Sequence, residues 1–120
     1  MDREQLRDQI RCMLEGWTED GRTFKFSSEF IQRVEKILES IDIQRLEMWV
    51  APTRRGSIQL EVEYSGDSPN GPHYLEAEIF EDGSPTSFLE MHGTAYEERE
   101  EPDDTKIREE FLKFYDQYAG

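Results

Sequence analysis

The spacing of apolar residues changes at Arg45, and that change decides the fold class. Upstream they recur at helical intervals; downstream they alternate with polar residues. A period of about 3.6 lays one helix face on a core, and a period of 2 lays one strand face there. Leu6, Ile10, Met13, Leu14 and Trp17 predict a first amphipathic helix that ends at or just after Gly16. Ser27 or Ser28 can cap a second helix, whose stripe is Phe30, Ile31, Val34, Ile37, Leu38 and Ile41. Between the helices, Asp20-Gly21 marks a turn beside a short extended piece at Thr23 to Phe26.

Past Arg45, four strands are expected. In RLEMWVAPT, Leu46, Met48 and Val50 share one side, Glu47 and Trp49 the other, and Pro52 stops the strand or marks an edge. In SIQLEVEY, Ile58, Leu60, Val62 and Tyr64 point inward, with Gln59, Glu61 and Glu63 outward. HYLEAEIF sends Leu75, Ala77 and Ile79 inward and Tyr74, Glu76, Glu78 and Phe80 outward. After the Asp82-Gly83 turn, SFLEMH places Leu89 and Met91 inward and Phe88, Glu90 and His92 outward. YEEREEPDD then reads as an acidic loop. Asp103 or Asp104 can cap a last helix with the face Ile107, Phe111, Leu112, Phe114, Tyr115 and Tyr118. The expectation is one α+β domain over residues 1–120. It has two N-terminal helices, a four-stranded antiparallel meander and a C-terminal helix, with the helices on one sheet face.

GSIQLEVEY followed by YLEAEIFEDG resembles a strand-pair pattern of small uncharacterised bacterial proteins: a glycine turn, IQLEW, a gap, LEIEI and an aspartate-glycine turn. Gly56, Ile58, Gln59, Leu60 and Glu61 carry the first half; Leu75, Glu76, Glu78, Ile79, Asp82 and Gly83 carry the second. Val62 stands where the pattern has tryptophan, and the gap here is longer. The resemblance implies a small bacterial or phage protein of α+β type and no enzyme activity.

Charge narrows the function classes. Fourteen basic residues against 28 acidic ones give a formal charge of -14. Such a chain repels nucleic-acid phosphates and anionic headgroups, so neither direct nucleic-acid binding nor a membrane surface is expected. The excess is concentrated: Ile43 to Gly93 holds three arginines and nine carboxylates. Cys12 is the only cysteine, which suits a reducing cytoplasm. The charged N-terminus lacks a signal-peptide core, and no stretch reaches the roughly 18 apolar residues of a membrane span. A soluble cytoplasmic protein is expected.

No HxxxH, CxxC, calcium-loop, GxxxxGK[ST] or GxGxxG spacing occurs. His73 has inward parity and His92 outward, so they are not expected to converge. Cys12 reads as a small core residue. No cofactor, metal site or catalytic set is expected, and the chain is read as a non-enzyme.

What remains is the outward face. Facing glutamates about 5 Å apart repel by about 0.8 kcal/mol even in water. A solvated face that resists edge pairing accounts for the carboxylates. It does not account for the aromatics among them, which interfaces favour. The candidate partner-binding residues are Glu47, Trp49, Glu61, Glu63, Tyr74, Glu76, Glu78, Phe80 and Glu90, extended by Glu97, Glu98, Glu100 and Glu101. The expected partner is a basic, nucleic-acid-binding protein, blocked by an inhibitor, antitoxin or phage counter-defence protein that imitates nucleic acid. Two alternatives stay open. One is a small enzyme using sheet glutamates for acid/base or metal-assisted chemistry; the other is a structural homo-oligomer, a homodimer included.

Overall fold

The computed structural model describes residues 3–41, 47–64 and 72–118. Helix α1 (Arg3–Glu15) leads into a two-stranded hairpin, β1 (Trp17–Glu19) and β2 (Arg22–Phe24), followed by α2 (Ser28–Ser40). A five-stranded sheet comes next: β3 (Glu47–Pro52), β4 (Ser57–Tyr64), β5 (His73–Phe80), β6 (Thr86–His92) and β7 (Ala95–Glu101). A 3-10 turn (Asp104–Lys106) and α3 (Ile107–Tyr118) close the chain. The strands lie in chain order, each antiparallel to the next. The protein is therefore α+β, and no helix among the described residues is long and apolar enough to cross a membrane.

Local chemistry explains the helices. Ser27 caps α2 by accepting from the Phe30 N–H at 3.2 Å, and its own N–H donates to Glu81 at 2.7 Å. Asp103 caps the turn before α3, accepting from the Thr105 N–H at 3.0 Å. Leu6, Ile10 and Met13 of α1, Phe30, Ile31, Val34 and Leu38 of α2, and Ile107, Phe111 and Phe114 of α3 join one buried cluster. The same cluster holds Met48, Val50, Ile58, Leu60, Val62, Leu75, Ala77, Ile79 and Phe88 of the sheet. Arg33 bridges from α2 to Asp104 at 2.7 Å and to the Phe80 carbonyl at 3.2 Å.

Four features differ from expectation. Trp17 starts the small hairpin, stacking on Phe24 at 5.4 Å, instead of ending α1. Cys12 lies on the exposed side of its helix. The sheet has a fifth strand, because Tyr96–Glu101 is not a loop: Ala95–Glu101 pairs along the whole of β6. A glutamate-rich stretch has little intrinsic strand preference, so the ladder, not the composition, makes it a strand.

The fourth difference is the phase of β6. Directly paired residues share a sheet face, and Leu75 pairs with Glu90, Ala77 with Phe88 and His73 with His92. Phe88, Glu90 and His92 therefore point inward, while Leu89 and Met91 point outward. The small Ala77 leaves room for Phe88, which is completely buried. Leu46 lies outside the described residues, as does most of the loop between β4 and β5.

Two glycines with the same left-handed backbone make a matched test. Gly83 has φ +84° in the Asp82-Gly83 turn, and a Cβ there meets open space. Gly16 also has φ +84°, but its Cβ would lie 2.6 Å from the Phe24 carbonyl oxygen. Gly83→Ala is expected to cost about 1 kcal/mol through backbone conformation alone. Gly16→Ala should cost clearly more, since the hairpin must also move. Urea unfolding of both variants checks this, and equal losses would refute the close approach at Gly16.

Candidate functional site

Register assembles the outward face row by row. One row runs Trp49–Glu61–Glu76–Leu89–Glu98 across all five strands. A neighbouring row runs Glu63–Tyr74–Met91–Tyr96, with Glu47 opposite Glu63 in β3. The next is Ala51–Gln59–Glu78–Ser87–Glu100. Among the described residues, no outward position of the sheet carries a lysine or arginine.

The carboxylates on this face are not equivalent. Glu78 is nearly buried, with 8% of its surface exposed. Arg55 grips both of its oxygens, at 3.2 and 3.0 Å, and the Ser57 hydroxyl donates to it at 2.5 Å. Glu78 thus belongs to a turn-stabilising ion pair and is withdrawn from the binding set. Glu76 has no such cation beside it. Burial, together with the facing Glu61 and the flanking Glu78, pushes its carboxyl above the ordinary range, against the Tyr74 hydroxyl that donates to it at 3.1 Å and the weaker pull of Arg55 from its place on Glu78. Burial and the carboxylates of Glu76 and Glu61 drive the Tyr74 phenol upward as well.

Aromatic and aliphatic side chains line the carboxylates. Trp49 is half-buried in a shallow depression of about 390 Å³, with Gln9, Glu61, Glu63 and Tyr74 around it. Leu89 and Met91 are half-buried, and Tyr96 is 70% exposed. Sequence reasoning missed these three because the strand phase had turned Leu89 and Met91 inward and left Tyr96 in a loop. Phe80 ends β5 opposite Ser57, at the margin of the face.

Of the remaining candidates, Glu98 and Glu100 stand on the outward face of β7, while Glu97 and Glu101 have inward parity. Glu90 also turns inward and leaves the proposed face entirely. It accepts from His92 Nε2 at 2.6 Å and lies 3.5 Å from Arg99, whose guanidinium sits 2.7 Å from Glu110. His92 Nδ1 is 2.7 Å from His73 Nδ1, correcting the expectation that the two histidines stay apart. Tyr118 stacks on His73 at 3.9 Å, and its hydroxyl reaches His92 Nε2 at 3.3 Å. Burial and the adjacent His92 ring hold His73 below the usual histidine range, although Glu90 pulls the other way. The cluster fastens the end of α3 to β5 and β6. Among the described residues, no three His, Cys, Asp or Glu side chains converge as metal ligands.

No family model, curated protein or solved structure matches this chain.

The Glu61–Glu76 pair carries its own prediction. Ionised Glu76 is disfavoured in the fold, so its raised folded pKa makes stability fall as pH rises above the ordinary carboxyl value toward the folded one. Glu76→Gln keeps an acceptor for Tyr74 and removes the charge. At neutral pH it is expected to raise the unfolding free energy by about 0.5–1 kcal/mol, with the gain shrinking toward pH 4.5. Denaturant unfolding at both pH values checks this; a variant less stable than wild type at pH 7 would contradict it.

Proposed function

We propose that this chain is a non-enzymatic binding protein that covers a basic surface of a protein partner, inside the cell, as an inhibitor, antitoxin or phage counter-defence protein. The observation that carries this reading is the row Trp49–Glu61–Glu76–Leu89–Glu98. It sets glutamates directly opposite one another, with no basic residue in the row, between an indole and an aliphatic side chain. A solubilising face needs neither the facing pair nor the apolar residues. A partner's lysine or arginine placed between Glu61 and Glu76 converts their repulsion into two attractive contacts, so binding recovers what folding loses there. Trp49, Leu89, Met91 and Tyr96 supply the apolar contact area that interface centres require. A face of regularly spaced carboxylates suits a partner whose own site is shaped for nucleic-acid phosphates.

The test uses the purified protein as bait in source-cell lysate, beside a Glu61→Lys/Glu76→Lys variant shown to be folded by circular dichroism. Wild type should retain a basic protein at low salt and release it as salt shortens the screening length below about 10 Å. The reversed variant should bind that protein at least about tenfold more weakly. Equal retention by both baits would refute the reading.

A further inference from the structure

The two edges of the sheet are built differently. Two residues, Gly93 and Thr94, separate the paired His92 and Ala95, and the pair flanking such a hairpin turn exchanges both ladder bonds. Bonded pairs therefore recur at Glu90–Glu97, Phe88–Arg99 and Thr86–Glu101. The N–H and C=O groups of Tyr96, Glu98 and Glu100 point away from the sheet. Carried across the ladder, the same alternation turns Met48, Val50 and Pro52 toward the opposite edge. There Gln9 of α1 donates to the Val50 carbonyl at 3.0 Å, and Pro52 has no N–H to offer. The β3 edge is closed by a helix and a proline. The β7 edge has neither, and its backbone groups have no partner among the described residues.

Open edges recruit strands, and proteins ordinarily blunt them with charged side chains, proline or a bulge, so the acidic β7 is closed to strands of like charge. Here the strand is AYEEREE, continuous and fully paired on its inner side. Its carboxylates exclude a second copy, since β7 against β7 sets glutamates upon glutamates. They favour an incoming strand of opposite charge. Beneath the inward side of β7 lies a cavity of about 270 Å³. Glu90, Glu97, Glu101 and Glu110 line it together with Arg99 and Lys113, and Arg99 already pairs with Glu90, Glu97 and Glu110, so the cavity is acidic by excess and not by glutamates alone. A strand added to β7 would send alternate side chains over Glu98 and Glu100 on one face and toward this cavity on the other.

We propose that β7 is a strand-addition site for an extended, lysine- or arginine-rich segment of the partner, whose basic side chains on the outward face meet Glu98 and Glu100. Main-chain bonds to Tyr96, Glu98 and Glu100 hold the segment, and the Glu98 and Glu100 carboxylates select its charge. This deepens the reading above and rests on its basic partner.

The probe is a peptide of about nine residues alternating arginine with valine, titrated into the whole 120-residue chain and followed by NMR amide exchange. Protection should appear at the Tyr96, Glu98 and Glu100 amides. Glu98→Pro is tolerable at an edge position facing solvent and removes one donor. It should weaken binding about five- to tenfold, while Glu98→Gln keeps the protection pattern. Methylating alternate peptide nitrogens should weaken binding similarly without touching the protein. No binding at millimolar peptide, or binding without protection at those amides, overturns the proposal. So does concentration-dependent protection without peptide, which would put a second copy on the edge. Peptide binding lost in Glu61→Lys/Glu76→Lys but unchanged in Glu98→Pro overturns strand addition and leaves the acidic face standing. Equal binding of a glutamate-valine peptide sinks both.

Discussion

Phe88→Ala is expected to lower the unfolding free energy by about 3–5 kcal/mol, and Leu89→Ala by about 1 kcal/mol or less. The two neighbours differ only in the face they occupy. Phe88 is 1% exposed, opposite Ala77 on one side and Arg99 on the other. The Arg99 guanidinium stands 5.9 Å over its ring, so truncation removes that contact along with the core volume. Leu89 is only half-buried, between Glu76 and Glu98. Chemical denaturation of both variants decides the phase of β6. A larger loss for Leu89→Ala would mean that the strand is shifted by one residue, which exchanges every inward and outward side chain.

Leu60→Asp should have the largest effect of any single change. Leu60 has no exposed surface and lies between Val50 and Ala77 on the inward side of β4. Its paired neighbours and the buried cluster around it are apolar, so an aspartate there finds no cation and no donor side chain. The cost is about 4 kcal/mol or more, comparable to the whole stability of a marginal domain. A melting temperature lowered by about 15 °C, or loss of the cooperative transition, is the expected result. A variant that melts with wild type would remove Leu60 from the core.

Helix α2 was legible almost residue by residue, because capping and stripe agree. Ser27 accepts from the backbone at the start of α2, and Phe30, Ile31, Val34 and Leu38 are all buried. Strands β4 and β5 were legible for a similar reason. Ile58, Leu60 and Val62 share one parity, Gln59, Glu61 and Glu63 the other, and one phase alone buries the apolar set. Cys12 was misjudged because it borders the stripe that Met13 belongs to, where a small rotation decides exposure.

Strand β6 is different in kind. Phe88 has one parity and Leu89 and Met91 the other, so both phases bury something apolar, and hydropathy cannot choose. The pairing with β5 chooses, through the space beside Ala77. That single shift carries Glu90 and His92 to the inner face, joins the two histidines to Tyr118, and puts Leu89 and Met91 among the surface glutamates.

The sequence by itself determined the α+β class, the two faces of β4 and β5 and the acidic character of the outward side, since side-chain parity within a strand is a local property. The tertiary structure decided the phase of β6, the existence of β7 and the contrast between a closed edge and an open one. Those depend on which backbone groups find partners across the ladder, and pairing between strands is not written in the period of either strand alone.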